Sequence, residues 1–511
     1  MGTRRGGTLR EIRAGQVIAL FALTAAALSG CGSDHGPTQP ASPTKLAFVI
    51  QPSATAGSQP ITPAVQVAVQ DALGRTVTSA TDTITIALGA NPDSAALLGT
   101  LTVVAIQGIA TFSDLRVDRP GSSYSLTGSA PGLAGASSRT FAVTLTFGAI
   151  SPGAVHACGI TTAGTTYCWG WNPSGEFGDG TSTGRASPVA VLGGHTFAEV
   201  SAGAGYTCGV TTGGAAYCWG ENNTGKVGDG TMTDRWSPVA VLGGLTFAAV
   251  SAGTGQSCAV TTGGAAYCWG ANDVGELGDG TDTSRLSPVA VVGGHTFASV
   301  SAGEYYNCGL TTGGAAYCWG ANTYGQLGDG TDTSRTSPVA VVGGLTFATV
   351  TAGGNGNMNH ACGVTTGGAA YCWGSNDAGE LGDGTDTSRA RPVPVAGGLT
   401  FATVSAGATH TCGVTTGGAA YCWGYNGTGQ LGDGTTTLRQ SPVPVHGGLT
   451  FTTVKSGAYF TCGMTAGGVA YCWGANDTDE LGSGLKTGPE QCTPNSIPVS
   501  CSTVPIAVKA E

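Results

Sequence analysis

From about residue 147 onward, short runs of alternating or unbroken apolar residues are interrupted every few positions by Gly-Gly, Gly-Asp-Gly or Ser-Pro. This spacing predicts strands and turns, not helices. The pattern repeats. CGVTTGGAAYCWG or a near variant begins at Cys158, Cys208, Cys258, Cys308, Cys362, Cys412 and Cys462, fifty residues apart except for fifty-four between Cys308 and Cys362. Each unit reads as a strand (FAEVSAG), a loop, a strand (TCGVTT), a Gly-Gly turn, a strand (AAYCWG), a long loop (ENNTGKVGDGTMTDR) and a strand (SPVAV). That is one small four-stranded antiparallel sheet. In AAYCWG, period-two geometry sends Tyr217 and Trp219 to one face and Ala216 and Cys218 to the other, where Cys208 and Val210 join them. Both faces are apolar. Such a sheet needs a neighbour on each side, and seven can satisfy their end units by closing into a ring, which predicts a seven-bladed β-propeller. An open array would need polar caps, yet the first unit already carries Tyr167, Cys168 and Trp169. FGAISPG at 147–153 and VPIAV at 504–508 match the first and last strands of a unit, so the two ends of this region are expected to meet.

Upstream, residues 45–146 lack the repeat. AVQVAVQ, TITIALG, LTVVAIQGIATF and SYSLTGSA read as strands, with Gly74 and Gln107-Gly108 as hairpin turns. About seven strands in a hundred residues suggest a β-sandwich, and the pattern resembles bacterial immunoglobulin-like domains of surface proteins. The segment contains no His, Cys or Trp, which points to a spacer. The expected fold class is therefore all-β, a seven-bladed β-propeller (147–511) preceded by an immunoglobulin-like β-sandwich. Residues 1–30 look like a secretory signal: Arg4, Arg5, Arg10 and Arg13 precede an apolar stretch, Val17 to Leu28, too short to span a bilayer. Leu28-Ser29-Gly30-Cys31 resembles a bacterial lipobox, which implies diacylglyceryl modification of Cys31, cleavage before it and acylation of the new terminus. Residues 31–44 form a Pro/Ser/Gly tether. Gly32 after the cysteine favours, by resemblance to lipoprotein sorting, an outer-membrane or surface location in the bacterial envelope.

Composition sharpens this picture. The chain has 511 residues, 89 Gly, 17 Cys, 10% charged residues and a formal charge of -10. The acidic balance gives no electrostatic footprint for a polyanion, so nucleic acid is excluded as a partner. So many regularly spaced cysteines argue for an exported, oxidised protein.

The run VSAGxxxTCGVTTGGAAYCWGxNxxGQLGDGTxTxRxSPVAV resembles the regulator of chromosome condensation repeat, in seven copies over about 360 residues. The resemblance implies the propeller fold. The paired cysteines and the acidic balance depart from the eukaryotic founder, so its guanine-nucleotide exchange and chromatin binding are not carried over.

Chemistry-bearing motifs are few. If Thr212, Gly213 and Gly214 form a three-residue hairpin loop with Gly in the left-handed position, Cys208 lies opposite Cys218 within disulfide reach. The same spacing pairs Cys158 with Cys168, Cys258 with Cys268, Cys308 with Cys318, Cys362 with Cys372, Cys412 with Cys422 and Cys462 with Cys472. An insertion in the last unit adds Cys492 with Cys501. Zinc sites use tighter spacing, so no metal and no cofactor is expected. In GDGT, Asp179, Asp229, Asp279, Asp329, Asp383 and Asp433 precede Arg185, Arg235, Arg285, Arg335, Arg389 and Arg439 by six residues. Asp capping a turn with Arg tying the loop down is the expected meaning; calcium is the alternative, although the EF-hand ligand pattern is missing. His156, His360 and His410 occupy one repeat position, where a planar side chain filling a common slot is expected. No nucleophile, base and orienting acid recur together, which alone decides nothing because triads can assemble from distant segments. The near-identity of the units argues against a catalytic site, which would break the symmetry at a few special residues, so the protein is read as no enzyme.

One set of connections, TTGGAA and VLGGLTF, is nearly uniform, whereas the other set varies from unit to unit. The varied rim is read as a contact surface, because Tyr206, Tyr305, Tyr306, Met358, His360, His410, Tyr459 and Phe460 in its short loops, with Trp171, Trp236, Tyr324 and Tyr425 in its long ones, are types that anchor interfaces. A surface binding or scaffold protein with a protein partner is expected, touching the membrane through its lipid only. Glycan binding is the alternative, and a secreted enzyme is a third class.

Overall fold

The computed structural model describes residues 42–57, 59–91, 95–354 and 358–509. The signal segment, Cys31 and most of the tether lie outside the described residues. Among the described residues every regular element is a β-strand apart from one 3-10 turn, Pro494–Ser496.

The seven repeats are seven four-stranded antiparallel sheets, each in simple sequence order, and the last takes a fifth strand from its insertion. In the second blade the strands are Phe197–Ala202, Tyr206–Thr211, Ala216–Gly220 and Arg235–Ala240. The Thr212–Gly214 turn is the three-residue loop: Thr211 N–H donates to Ala215 O at 2.9 Å, and Gly214 sits at φ 82°. Cys208 therefore stands opposite Cys218. All eight expected disulfides form, from Cys158–Cys168 through Cys462–Cys472, plus Cys492–Cys501.

Burying both faces is what assembles the blades. Cys208, Val210, Ala216 and Cys218 of blade 2 pack against Phe247, Val250, Ala259 and Trp269 of blade 3. The same disulfide-against-tryptophan contact recurs at each interface. It also joins blade 7 to blade 1, where Cys462, Met464 and Cys472 meet Phe147, Ile150 and Trp169. The ring is closed. Each of the seven Trp Nε1–H groups, fully buried, donates to a main-chain carbonyl of the preceding blade's long loop, as Trp219 does to Glu176 O at 2.8 Å and Trp169 to Glu480 O at 2.9 Å. A second set links the second Gly of each GDG turn, or its counterpart Gly484, to the next blade's outer strand, from Gly180 N to Trp236 O at 2.8 Å round to Gly484 N to Ala186 O at 2.9 Å.

The first strands line the axial channel. There the hydroxyls of Ser151, Ser201, Ser251, Ser301, Thr351 and Ser405 each accept the next blade's backbone N–H at 2.9–3.1 Å. The seventh link would run from residue 152 to residue 455. Pro152 has no N–H to donate and Lys455 no hydroxyl to accept, so the two exceptions fall at one junction.

Residues 45–146 form short strands in sheets of three, four, three and two around one core that includes Val65, Val67, Ile84, Phe112, Leu115, Tyr124 and Phe141. Gly74 and Gln107-Gly108 make the expected turns with positive φ. This unit leans on the uniform side of the ring. A cavity of about 320 Å³ is shared by Gly121, Ala142 and Val143 with Val469, Ala507 and Val508, and Asp118 and Pro120 face Thr161, Thr162 and Tyr167. The varied loops point away from it.

Candidate functional site: the varied rim

The rim is built from two tiers of loops. The short loops after each first strand surround the axial mouth, a shallow cavity of about 160 Å³ framed by Pro152-Gly153, Ala202-Gly203 and their equivalents. Six inter-blade hydrogen bonds tie them together, among them Ala204 N to Gly253 O at 3.1 Å and Ala458 N to Gly153 O at 3.2 Å. The long loops begin beside them, since Trp171 N–H donates to Val155 O and Glu221 N–H to Gly205 O at 2.9 and 2.8 Å.

Inside each long loop a fully buried asparagine, Asn172, Asn222, Asn272, Asn322, Asn376, Asn426 or Asn476, organises the turn. Asn222 Nδ2 donates to Thr231 O and Thr233 O at 3.0 and 3.1 Å while its Oδ1 accepts Val227 N–H. The repeated WGxN marks this residue in the sequence, ahead of the aspartate and arginine of the same loop. Those act as expected in blades 2 to 6. Asp279 Oδ1 accepts the Thr281 amide and hydroxyl at 2.9 and 2.7 Å, and Oδ2 pairs with Arg285 at 3.1 Å. Burial pushes the Asp279 carboxyl up, but the Thr281 hydrogen bonds and Arg285 more than offset it and hold it below its ordinary range. Both carboxylate oxygens are thus occupied by protein donors. Among the described residues no group of three His, Cys, Asp or Glu is placed to hold a metal ion.

Of the expected contact residues, the structure exposes four well: Trp171 (46%), Trp236 (49%), Tyr305 (46%) and Tyr459 (40%). Met358, Tyr324 and Tyr425 are half-buried. Tyr206, Tyr306, His360, His410 and Phe460 must be withdrawn as surface anchors, because each is fully buried. They are first residues of second strands, not loop residues, and alternation places them on the same buried face as the cysteine two positions on. Each fills a slot against the next blade. Tyr206 OH donates to Gln256 O at 2.7 Å, and His156, His360 and His410 meet the next blade's Thr207, Thr411 and Thr461 hydroxyls through Nε2 at 2.7–2.8 Å. Burial lowers these histidines to about 3, 4 and 3.

Two polar features of the rim were not anticipated. The residue two places before each GDG turn, or before Gly482, is buried and polar in all seven blades: Glu176, Lys226, Glu276, Gln326, Glu380, Gln430 and Glu480. Burial raises Glu176 and Glu380 to about 7. Below the mouth, the channel of about 390 Å³ carries Glu199 and Lys455 among its hydroxyls. Reduced hydration inside the channel raises the carboxyl of the first and lowers the ammonium of the second, each partly restrained by the other's charge.

A closed ring of seven four-stranded sheets with one differentiated rim defines a seven-bladed β-propeller of the kind that presents loops on a rigid disc. The chain belongs to the RCC1-like domain family, whose model matches residues 127–462. It is similar to human WBSCR16 (TM-score 0.59, 19% identity, 68% of this chain and 94% of that one). It is also similar to yeast RCC1, Prp20, solved bound to Kap60 (0.57, 17%, 71% and 85%). A second structure of Prp20p from Saccharomyces cerevisiae, described with its binding to Gsp1p and histones, gives 0.57, 18%, 71% and 88%. At these identities the likeness concerns the fold. No curated protein sequence matches the chain.

Proposed function

We propose that the protein is a lipid-anchored binding or scaffold protein of a bacterial envelope surface, holding a protein partner on the varied rim. RCC1-like propellers commonly serve as protein-interaction scaffolds. The observation that carries the reading is the asymmetry of the disc. The side turned toward the N-terminal unit repeats the same turns, and the side turned away presents Trp171, Trp236, Tyr305 and Tyr459 at 40–49% exposure on loops that differ from blade to blade. In this reading residues 45–146 are an immunoglobulin-like spacer and Cys31 carries the lipid, which leaves the rim facing outward. A rigid ring with exposed aromatic rings suits a folded partner, because little ordering entropy is lost on docking.

A photo-crosslinking residue in place of Trp236, compared with one in place of exposed Thr262 on the uniform side, tests the assignment on intact envelopes. Adducts to a defined protein from position 236, lost when Trp171, Tyr305 and Tyr459 are replaced by Ala, are expected. Equal adducts from position 262 would refute the rim. Flat indoles also stack on sugars, so a glycan array in parallel decides the second reading, and binding there with no protein adduct would replace the first.

A further inference from the structure

Lys226 in blade 2 is buried to 3% exposure, yet its ammonium is fully served. It donates to Ala204 O and Thr254 O at 3.1 and 3.2 Å, pairs with Glu221 at 2.7 Å and lies 5.0 Å from the centre of the Tyr206 ring. The slot between blades 2 and 3 is thus a cation site filled by the chain's own cation. Blade 5 has the same slot with opposite chemistry. Glu380 stands at the Lys226 position and Ser375 at the Glu221 position, both fully buried. Glu380 Oε2 accepts Ala378 N–H at 2.9 Å. Glu380 Oε1 and Ser375 Oγ have no protein partner.

The ring at the Tyr206 position is His360, kept neutral at ordinary pH by burial, and the charge that acts on the Glu380 carboxyl is another carboxylate, Asp377. Leaving a carboxylate oxygen and a hydroxyl buried without partners is costly, and such groups call for an ion or water. We propose that the blade 5 slot binds a potassium-sized monovalent cation through Glu380 Oε1 and Ser375 Oγ, with Ala408, the repeat equivalent of Thr254, offering its carbonyl.

The chemistry fits. Potassium and ammonium ions are nearly equal in size, carboxylate, hydroxyl and carbonyl oxygens suit a hard cation, and a single added charge matches the one that Lys226 supplies in blade 2. Blades 1, 3 and 7 also carry the glutamate, but Trp171, Ala271 and Ala475 stand where Ser375 does and offer no hydroxyl.

The experiment uses the full chain. Crystals soaked in thallium(I) are expected to show an anomalous peak beside Glu380 that is absent in Glu380→Gln, a residue that Gln326 and Gln430 show the position accepts. In solution, exchanging choline for potassium at constant ionic strength is expected to raise the Tm of the parent by several degrees. It should leave unchanged both Glu380→Gln and the double variant Ser375→Glu with Glu380→Lys, which copies blade 2. No peak beside Glu380, or an equal potassium effect on all three proteins, overturns the proposal.

Discussion

The three buried histidines should make the propeller acid-labile by an amount that can be worked out. Thr207 Oγ1 donates its one proton to Glu176 O at 2.9 Å, so it can only accept from His156, which fixes the proton on Nε2. Thr411 and Thr461 repeat the relay to Glu380 O and Gln430 O at 2.8 Å. The Nδ1 atoms of His156 and His410 are buried without a partner, so a second proton has nowhere favourable to go. Burial therefore lowers the folded-state values to about 3 and 4, from 6.5. The unfolded chain binds more protons, so stability is whole above pH 6.5 and is lost as pH falls toward the folded values. At about pH 5 each histidine removes about 2 kcal/mol, from 1.36 kcal/mol per unit, and the three together about 6 kcal/mol. That magnitude does not depend on how far below 5 the folded values lie. It is comparable with the whole stability of many domains. Gln256 fills the same slot in blade 3, donating to Gly303 O and Asn307 Oδ1 at 3.2 and 3.3 Å, so His→Gln at 156, 360 and 410 keeps a donor and removes the titration. Glu176 slopes the opposite way, so the comparison must be between parent and variant at each pH. Guanidinium unfolding, followed by fluorescence of the buried tryptophans at about pH 7.5 and pH 5, should show the parent losing several kcal/mol more than the triple variant. Equal losses would mean that the histidines are protonated in the fold, and the assigned tautomer would fall with the magnitude.

Further tests address single features of the ring. Glu176→Gln should stabilise by up to about 3 kcal/mol at pH 8 and by nothing at pH 4, because burial raises the folded carboxyl to about 7 and its ionisation is resisted; chemical denaturation at the two pH values reads this, and equal effects at both would refute it. Gly278→Ala should cost about 2–4 kcal/mol and alter tryptophan emission, since Gly278 sits at φ 65° and an added Cβ would lie 2.8 Å from Trp319 Cδ1. Thiol titration of the denatured, unreduced chain should find at most one free cysteine, because sixteen of the seventeen form eight pairs. Intact mass then tells whether Cys31 is acylated.

What the sequence disclosed follows from how local each rule is. The Cys208–Cys218 register needed only a turn length and a period of two, and repetition made the same inference seven times. The slot residues went astray for an equally local reason: placing the strand start at 207 instead of 206 moved Tyr206 from the buried face into a loop. Counting back two from Cys208 would have recovered it, and the same count leaves Tyr305 and Tyr459 outside the strands, where they are exposed. The Lys226 slot was beyond this reach. Its carbonyls come from two different blades, and nothing in the order of residues says which loops face each other across an interface.

The way the blades are joined explains why one rim is free to differ. In the outer link the glycine N–H of each GDG turn, or of Gly484, donates to a main-chain carbonyl, that of Trp236, Leu286, Thr336, Ala390, Gln440, Thr503 or Ala186, so the ring imposes no side chain there. Close packing is supplied from the other partner: a Cβ on Gly175 would fall 2.6 Å from Trp236 Cα, and glycines at 225, 275, 325, 379 and 429 accept their neighbours in the same way. The inner loops are likewise joined through main-chain N–H and carbonyl groups. Backbone joints permit any residue above them, whereas the tryptophan, asparagine and cysteine joints beneath permit one. Permission alone would fill such solvent-facing positions with small polar residues, as Thr336 does. The Trp236 indole packs one edge on Gly175 of the preceding blade yet leaves 49% of its surface in water, and that exposed half is what the proposed partner would cover.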